Sequence, residues 1–258
     1  MNKINDFFLY SDKLMNPFYL SGKDKTFGLD FIPLFLSSTL NYNSNMQLKE
    51  VKSRENLLFM ERTSIRKYDP AVKISKEEMA NILQDAMTAP PSSFNLQPWR
   101  FFVIDSKEGK EMIKPYMMFN QIQWETSSAI IAIYGDMDNY TSADKVLSAN
   151  VEHGLMTQEY KDKMLEMMTG YGASYTEDRL KNSVFLDCGF VIMQLMLSAK
   201  NYGYDTNPIG GFQRKELTEA LGLDASRYMP VLLLSIGKAA EGGKPSVRFS
   251  VDEVAQWR

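Results

Sequence analysis

The stretch Ala89-Pro90-Pro91-Ser92-Ser93-Phe94-Asn95-Leu96-Gln97-Pro98-Trp99 is the part of the sequence that decides the fold. Two prolines stiffen its beginning, a third stiffens its end, and two hydroxyls and two amides lie between them. Ser and Asn side chains often form local turns, so one interpretation is a tight connection between a helix and a strand. A turn does not need so many amides in a row, which favours a rigid loop that binds a ligand.

The segments on either side of this loop predict a helix before it and a strand after it. Ser75-Lys76-Glu77-Glu78 has the pattern of a capping box, in which Ser75 bonds the amide of Glu78 and the Glu78 side chain returns to Ser75. The helix that it opens ends before Pro90, because a proline disfavours the helical conformation of the residue before it. Residues 100–104 have the composition of a strand.

Further along the chain, helices and strands are predicted without regular alternation. Residues 129–134 and 231–236 are apolar runs that predict buried strands. A bent helix is predicted at 107–118 and the longest helix at 178–202, whose wide apolar face includes Cys188 and indicates deep burial. Such a mixture favours an α+β domain around one sheet.

Composition limits the class of protein. The chain has 258 residues, of which 44% are hydrophobic, which is enough for one large domain with a sizeable core. Its formal net charge of −3 argues against a nucleic-acid-binding protein, which usually carries a basic surplus. We expect no membrane-spanning segment, because the apolar run at 27–40 contains Asp30 and Pro33 and is too short to cross a bilayer.

One cysteine and one histidine limit the side-chain chemistry. Cys188 cannot form a disulfide within the chain, which fits a reducing, cytoplasmic location. With so few candidate ligands, we predict no structural metal. A Ser-His-Asp triad would have to use His153, and no Gly-x-Ser-x-Gly motif accompanies it, so we interpret His153 as an ordinary surface residue.

Three other segments have a composition that packing does not explain. Arg62-Thr63-Ser64-Ile65-Arg66 places two guanidinium groups around a hydroxyl, which suits a phosphate or a ring carbonyl. The paired glycines of Asn207-Pro208-Ile209-Gly210-Gly211-Phe212 would let the backbone approach a flat ligand closely. Lys244-Pro245-Ser246-Val247-Arg248 is a cationic cluster after the last predicted strand. Each could also be a solvated helix end, a plain loop or a solvated tail, so none identifies a ligand by itself.

Together and in this order, the four segments resemble the nitroreductase family. The family's pattern is Arg-x-Ser-x-Arg/Lys near the start, a Pro-Ser-Ser-x-Asn-x-Gln-Pro-Trp loop, a late Pro-Ile-x-Gly-Phe loop and a final Lys-Pro-x-x-Arg. The segment Phe119-Asn120-Gln121-Ile122-Gln123 is also similar to the family's sequence. The resemblance covers about residues 50–258, and the loop ending in Gln97-Pro98-Trp99 is its most specific part.

The resemblance implies a nitroreductase-like α+β fold, with a central, mainly antiparallel sheet flanked by helices, in an intertwined homodimer. It also implies an FMN cofactor, NADPH or NADH as hydride donor, and a small acceptor such as a nitroaromatic compound, a quinone or an activated alkene. Because the flavin performs the chemistry in such enzymes, no catalytic side chain is expected.

The residues that the resemblance assigns to FMN fall into groups by the part of the flavin they would contact. The phosphate and ribityl end would be held by Arg62, Thr63, Ser64 and Arg248, with the neighbouring Lys244. The ring would be contacted at its polar pyrimidine edge by Arg66, Asn120 and Gln123, and near its hydride-accepting side by Pro208, Ile209, Gly210 and Gly211. The flavin of the other subunit would be reached by Pro91, Ser92, Ser93, Asn95 and Gln97.

Two positions depart from the family's pattern. Gln123 stands where some members have a lysine. The absence of that lysine removes a cation near the ring and would lower the reduction potential of the flavin. Gly210 stands where some members have a glutamate. The absence of that glutamate removes a hydrogen-bond acceptor near the reactive nitrogen of the flavin. The natural acceptor and the choice between NADH and NADPH are therefore left open.

Two alternative functions are also left open, and so is the role of the N-terminus. The first alternative is a same-fold flavoenzyme with different chemistry, such as reductive dehalogenation or flavin breakdown. The second is a flavin-binding storage or sensor protein without turnover. The FMN-binding domain is predicted at 46–258, and residues 1–45 are either an arm that packs on the domain or its partner, or the product of an early start codon.

Overall fold

The computed structural model describes residues 58–258, so the predicted extension at 1–45 and the first part of the predicted domain lie outside the described residues. The strands of the described part are β1 Trp99–Ile104, β2 Ala129–Asp136, β3 Asp205–Ile209 and β4 Tyr228–Gly237. Its helices are α1 Leu58–Glu61, α2 Lys76–Ala86, α3 Lys107–Ile113, α4 Gln121–Thr126, α5 Ala143–Glu152, α6 Gln158–Ser174, α7 Glu177–Asn201, α8 Arg214–Ala220 and α9 Val251–Val254.

The four strands form one antiparallel sheet in the order β1-β2-β4-β3. β2 is buried along its whole length, as its apolar sequence predicts, and it pairs with β1 on one side and β4 on the other. Ile131 pairs with Val103 in β1 and with Leu234 in β4. The predicted α+β class with an antiparallel sheet is confirmed.

Helices cover both faces of this sheet, because successive side chains of a strand point to opposite sides. Ile131 and Ile133 face a core that also contains residues of α2 and α7. Ile130 and Ala132 face a second core, to which α3 and α8 contribute. A smaller third cluster joins α5 and α6 to Leu96 in the loop before β1. The α5–α6 region therefore packs next to the loop that the sequence singles out.

The long helix α7 is the main core helix, as predicted. The apolar face that includes Val184, Cys188 and Leu195 is buried against the sheet. Gly135 in β2 makes this packing possible, because a Cβ atom there would lie 2.2 Å from Val184 Cγ1. By length and composition α7 could cross a membrane. Half of its most apolar stretch of 18 residues is buried inside the domain, however, as is common for a core helix.

Two local predictions need correction. Ser75 caps α2 by accepting the Glu78 N–H at 3.1 Å, but the Glu78 carboxylate accepts the Tyr204 hydroxyl at 2.8 Å instead of returning to Ser75. The segment around Pro208 was predicted as a loop, whereas Asp205–Ile209 forms β3. β3 is the last strand in the sheet order, and an outer strand tolerates a proline that cannot donate to the ladder.

Candidate functional site

The Arg62–Arg66 segment lies alongside β3. Ser64 and Thr206 form a parallel bridge, and the Ile65 N–H donates to the Thr206 carbonyl oxygen at 3.1 Å. The segment therefore lies beside β3, whose last residue, Ile209, directly precedes Gly210 and Gly211. Two of the four predicted segments are in this way held side by side.

The chain after β4 packs on the same N-terminal segment. The Asp69 N–H donates to the Lys238 carbonyl oxygen at 2.8 Å, and the Ala240 N–H donates to that of Lys67 at 3.1 Å. A Cβ atom added to Gly243 would lie 2.0 Å from Thr63 Oγ1, so the Gly243 backbone packs very closely on the Thr63 side chain. The chain leading to Lys244 is thus brought to the Arg62–Arg66 segment.

Asn120 connects the start of α4 to the paired glycines. Its Nδ2 donates to the carbonyl oxygens of Gly211 and Met117, each at 3.2 Å, and its Oδ1 accepts the Gln123 amide at 3.3 Å. Gln123 is buried, and Asn120 is half-buried. Asn120 therefore holds the Gly211 backbone next to the start of α4.

The charges in this region suit an anion. Arg62 is half-buried and Arg66 is exposed, and neither guanidinium forms an ion pair or a hydrogen bond with any side chain in residues 58–258. Within the same residues, Thr206 Oγ1 is buried without a hydrogen-bond partner. Arginine presents a fork of donors that matches phosphate, so the two guanidinium groups could bind a phosphorylated ligand.

Within residues 58–258, the hydrogen bonds of the Pro91–Gln97 loop and of Arg248 are made to other partners. Within the described part of the chain, the loop's side-chain hydrogen bonds run to α7, to Arg100 and within the loop, as in the 3.1 Å bond from the Gln97 N–H to Ser92 Oγ. Arg248 lies in the exposed C-terminal segment, where its Nη1 donates to Ser246 Oγ at 2.8 Å and to the Val247 carbonyl oxygen at 3.1 Å. One subunit therefore brings together the Arg62–Arg66 segment, β3 with the glycines that follow it, and the chain leading to Lys244. The predicted contacts of the Pro91–Gln97 loop and Arg248 with FMN stay predictions.

A buried carboxylate that sequence reasoning missed supports the loop. Asp136, at the end of β2, accepts Arg100 Nη2 at 2.8 Å and Arg227 Nε at 2.9 Å. Arg100 also donates to the Gln97 carbonyl oxygen at 2.9 Å. Burial alone would raise the pKa of Asp136, but the Arg227 hydrogen bond and the Arg100 charge outweigh it and hold that pKa below its usual value. The only sequence signal was an aspartate two residues after the predicted apolar strand at 129–134.

We expect substitutions of Gly243 and Gly210 to differ in their effect on stability. Gly243→Ala should lower the free energy of unfolding by about 1–3 kcal/mol, because the new methyl group collides with Thr63. Gly210→Ala should change it by less than about 0.5 kcal/mol, since nothing lies within 4 Å of a Cβ atom there. Urea denaturation of both variants measures the difference. Equal free energies would show that the chain does not pack on Thr63 in solution.

Comparison with known families gives one match over most of the chain. The model of the nitroreductase family matches residues 59–238, which include the Pro91–Gln97 loop, α7 and all four strands. The match ends at Lys238, before the predicted Lys244–Arg248 segment.

Individual relatives are similar over nearly their full length. A Bacillus subtilis protein provisionally named as an NAD(P)H nitroreductase is 52% identical over 197 residues, which is 76% of this chain and 94% of that protein. The CLA biosynthesis enone reductase of Lactiplantibacillus plantarum is 38% identical over 189 residues, covering 73% of this chain and 87% of that protein. A crystal structure of a provisionally named nitroreductase from Exiguobacterium sibiricum in complex with FMN has 48% identity and a TM-score of 0.78, and covers 80% of this chain and 98% of that one.

Proposed function

The chain belongs to the nitroreductase family, and on that premise we propose that it is an FMN-dependent oxidoreductase that takes a hydride from NAD(P)H. Its acceptors would be small organic molecules, reduced in the second half of a two-step exchange. We propose the cytoplasm as its location, because its single cysteine fits a reducing compartment.

The observation that carries the proposal is the convergence of the Arg62–Arg66 segment, β3 and the chain before Lys244. The groups there fit FMN. Two guanidinium groups without carboxylate partners in residues 58–258 suit its phosphate, and the open space at Gly210 leaves room beside the backbone for a flat ring.

The chain's own residues would bind and orient the cofactor. Arg62, Thr63 and Ser64 would hold the phosphate end, together with Lys244 and Arg248. Arg66 would place a fixed positive charge at the pyrimidine edge, which favours negative charge there and so raises the reduction potential. Bound FMN would supply the hydride transfer between the nicotinamide donor and the acceptor, so the protein needs no acid–base pair of its own.

We extend the proposal to a homodimer. The Pro91–Gln97 loop would then reach the flavin of the neighbouring subunit. α7 supports this assembly, because beside its buried face it carries four large, exposed apolar side chains: Phe185, Leu186, Phe190 and Met193. Sedimentation should give the mass of a dimer, and a compact monomer with bound flavin would contradict it.

Three classes of small organic molecule are candidate acceptors. Nitroaromatic compounds and quinones are the first candidates, and the similarity to an enone reductase supports activated alkenes as a third. Gly210 supplies no carboxylate near the ring and Gln123 supplies no cation, in contrast to some family members. A panel of the three acceptor classes, assayed with each nicotinamide, would rank them.

An absorption spectrum of the purified protein tests the function directly. We expect a flavin spectrum that bleaches on addition of NADPH or NADH without oxygen and returns on addition of an acceptor. A flavin that is reduced but is not reoxidised by any acceptor would favour the storage or sensor alternative. A protein that does not bind FMN even after incubation with it would disprove the proposal.

We expect Arg248→Ala to weaken FMN binding by roughly tenfold, since a phosphate would lose a charge-assisted hydrogen bond. The effect lies at the low end of the range for such bonds because the C-terminal segment around Arg248 is exposed. Titration of the apoprotein with FMN, followed by flavin fluorescence, measures it. An unchanged affinity would remove Arg248 from the phosphate site without affecting Arg62.

A further inference from the structure

The Pro91–Gln97 loop has a strained backbone. Phe94, Asn95 and Gln97 have φ angles of 53°, 57° and 48°, in the left-handed region that residues with a Cβ atom seldom adopt. Such a conformation persists only where the surrounding structure holds it. The groups that hold this loop are therefore important to any ligand that it contacts.

α7 holds the beginning of the loop through two polar side chains. Asp187 Oδ2 accepts the Ser93 N–H at 3.0 Å, and Ser183 Oγ lies 3.0 Å from Ser93 Oγ. Asp187 and Ser183 are four residues apart, so they lie on the same face of the helix. Ser93 is thus held by both its backbone and its side chain, directly before the strained residues.

Asp187 is costly to bury at this position. It is 3% exposed and forms no ion pair with any cation in residues 58–258. Burial raises the pKa of Asp187, while the hydrogen bonds from Ser93 lower it in part. A buried charge without a cation reduces stability, so packing alone does not account for a carboxylate on the core helix.

We propose that Asp187 is a positioning residue, which holds the Pro91–Gln97 loop in its strained conformation so that the loop can contact the flavin of the neighbouring subunit. The inference rests on the proposed function, because the flavin contact is part of it. It adds a residue of the core helix that would affect FMN binding without touching FMN.

The test measures loop mobility and FMN affinity separately. Asp187→Ala and Asp187→Leu both remove the acceptor, and leucine also fills the buried position with an apolar side chain. Asp187→Asn keeps an acceptor oxygen for the Ser93 N–H. Ser198→Ala is the matched control, since it removes a buried α7 hydrogen bond, 2.9 Å long, to the Ile82 carbonyl oxygen, away from the loop.

Hydrogen exchange of the loop is followed in the protein without FMN, and FMN affinity is measured by fluorescence titration. We expect faster loop exchange and roughly 10- to 100-fold weaker FMN binding in the alanine and leucine variants. The asparagine variant and the Ser198 control should retain wild-type values for both.

Unchanged loop exchange, or unchanged FMN affinity, in the alanine and leucine variants would overturn the role of Asp187. Equal losses in the asparagine variant would also overturn it, because the acceptor oxygen would then not be what matters. If the wild-type protein itself does not bind FMN, the proposed function fails first, and the exchange data still show whether Asp187 holds the loop.

Discussion

Replacing Asp136 with alanine is expected to lower the free energy of unfolding by about 3 kcal/mol, because it leaves two arginines without their buried partner. The Asp136 side chain has no exposed surface, whereas those of Arg100 and Arg227 are 33% and 40% exposed. Water can partly solvate the two cations, which places the loss at the lower end of the range for a broken buried pair. Urea denaturation measures the change, and thermal unfolding should show a shift of about 6–12 °C.

Asp138→Ala is the matched control, since Asp138 is exposed and only its backbone N–H contacts Asp136. It should leave the free energy of unfolding within about 0.5 kcal/mol of the wild-type value. Equal losses in both variants would show that the buried ion pairs do not stabilise the domain. A loss confined to Asp136→Ala would support them.

The same group predicts a dependence of stability on pH. Because the pKa of Asp136 is lowered in the folded protein, its charged form contributes stability above the unfolded-state pKa of about 3.9. That contribution is lost as the pH falls through the lower, folded-state pKa. The difference in melting temperature between wild type and Asp136→Ala should therefore be constant near neutral pH and should narrow below about pH 4. A difference that does not change at low pH would contradict this assignment.

The central strands and the main helices could be predicted from the sequence, because buried strands and buried helix faces consist of apolar residues. The apolar runs of β2 and β4 and the wide apolar face around Cys188 predicted the central strands and the core helix. β3 was missed because Pro208 is a poor strand residue in isolation, and its pairing with Leu234 depends on the order of the strands. Residue patterns contain little information about that order.

Some residues of the candidate site could also be predicted from the sequence, and others could not. Segments such as Arg62–Arg66 could be recognised because their polar residues serve no packing purpose, and a known family has the same pattern. The supporting carboxylates could not be recognised, since Asp136 and Asp187 are single acidic residues whose partners are far away in the sequence. Only the paired strands and the position of α7 on the sheet bring Arg100 and Ser93 to them.

Arg62→Ala is expected to weaken FMN binding by about 100-fold, close to the upper end of the range for a charge-assisted hydrogen bond to phosphate. Arg62 is half-buried, has no carboxylate partner in residues 58–258, and precedes Thr63, which the chain after β4 packs against. The Arg62 guanidinium would therefore give up no ion pair within residues 58–258 when it binds an anion. In the alanine variant, water would be a poor substitute for its hydrogen bonds to the phosphate. Fluorescence titration of the apoprotein with FMN measures the loss.

Two further variants separate the contribution of the planar guanidinium group from that of positive charge alone. Lys67→Ala, which removes an exposed cation directly after the Arg62–Arg66 segment, should change FMN affinity by less than about threefold, because an exposed charge is largely screened by salt. Arg62→Lys keeps the charge but loses the planar fork, so its affinity should fall between those of wild type and Arg62→Ala. If Lys67→Ala matched Arg62→Ala, the phosphate would be attracted by the general positive charge of this segment. A loss specific to Arg62 requires a fixed guanidinium in contact with the phosphate, which is how the convergence of this segment with β3 would bind FMN.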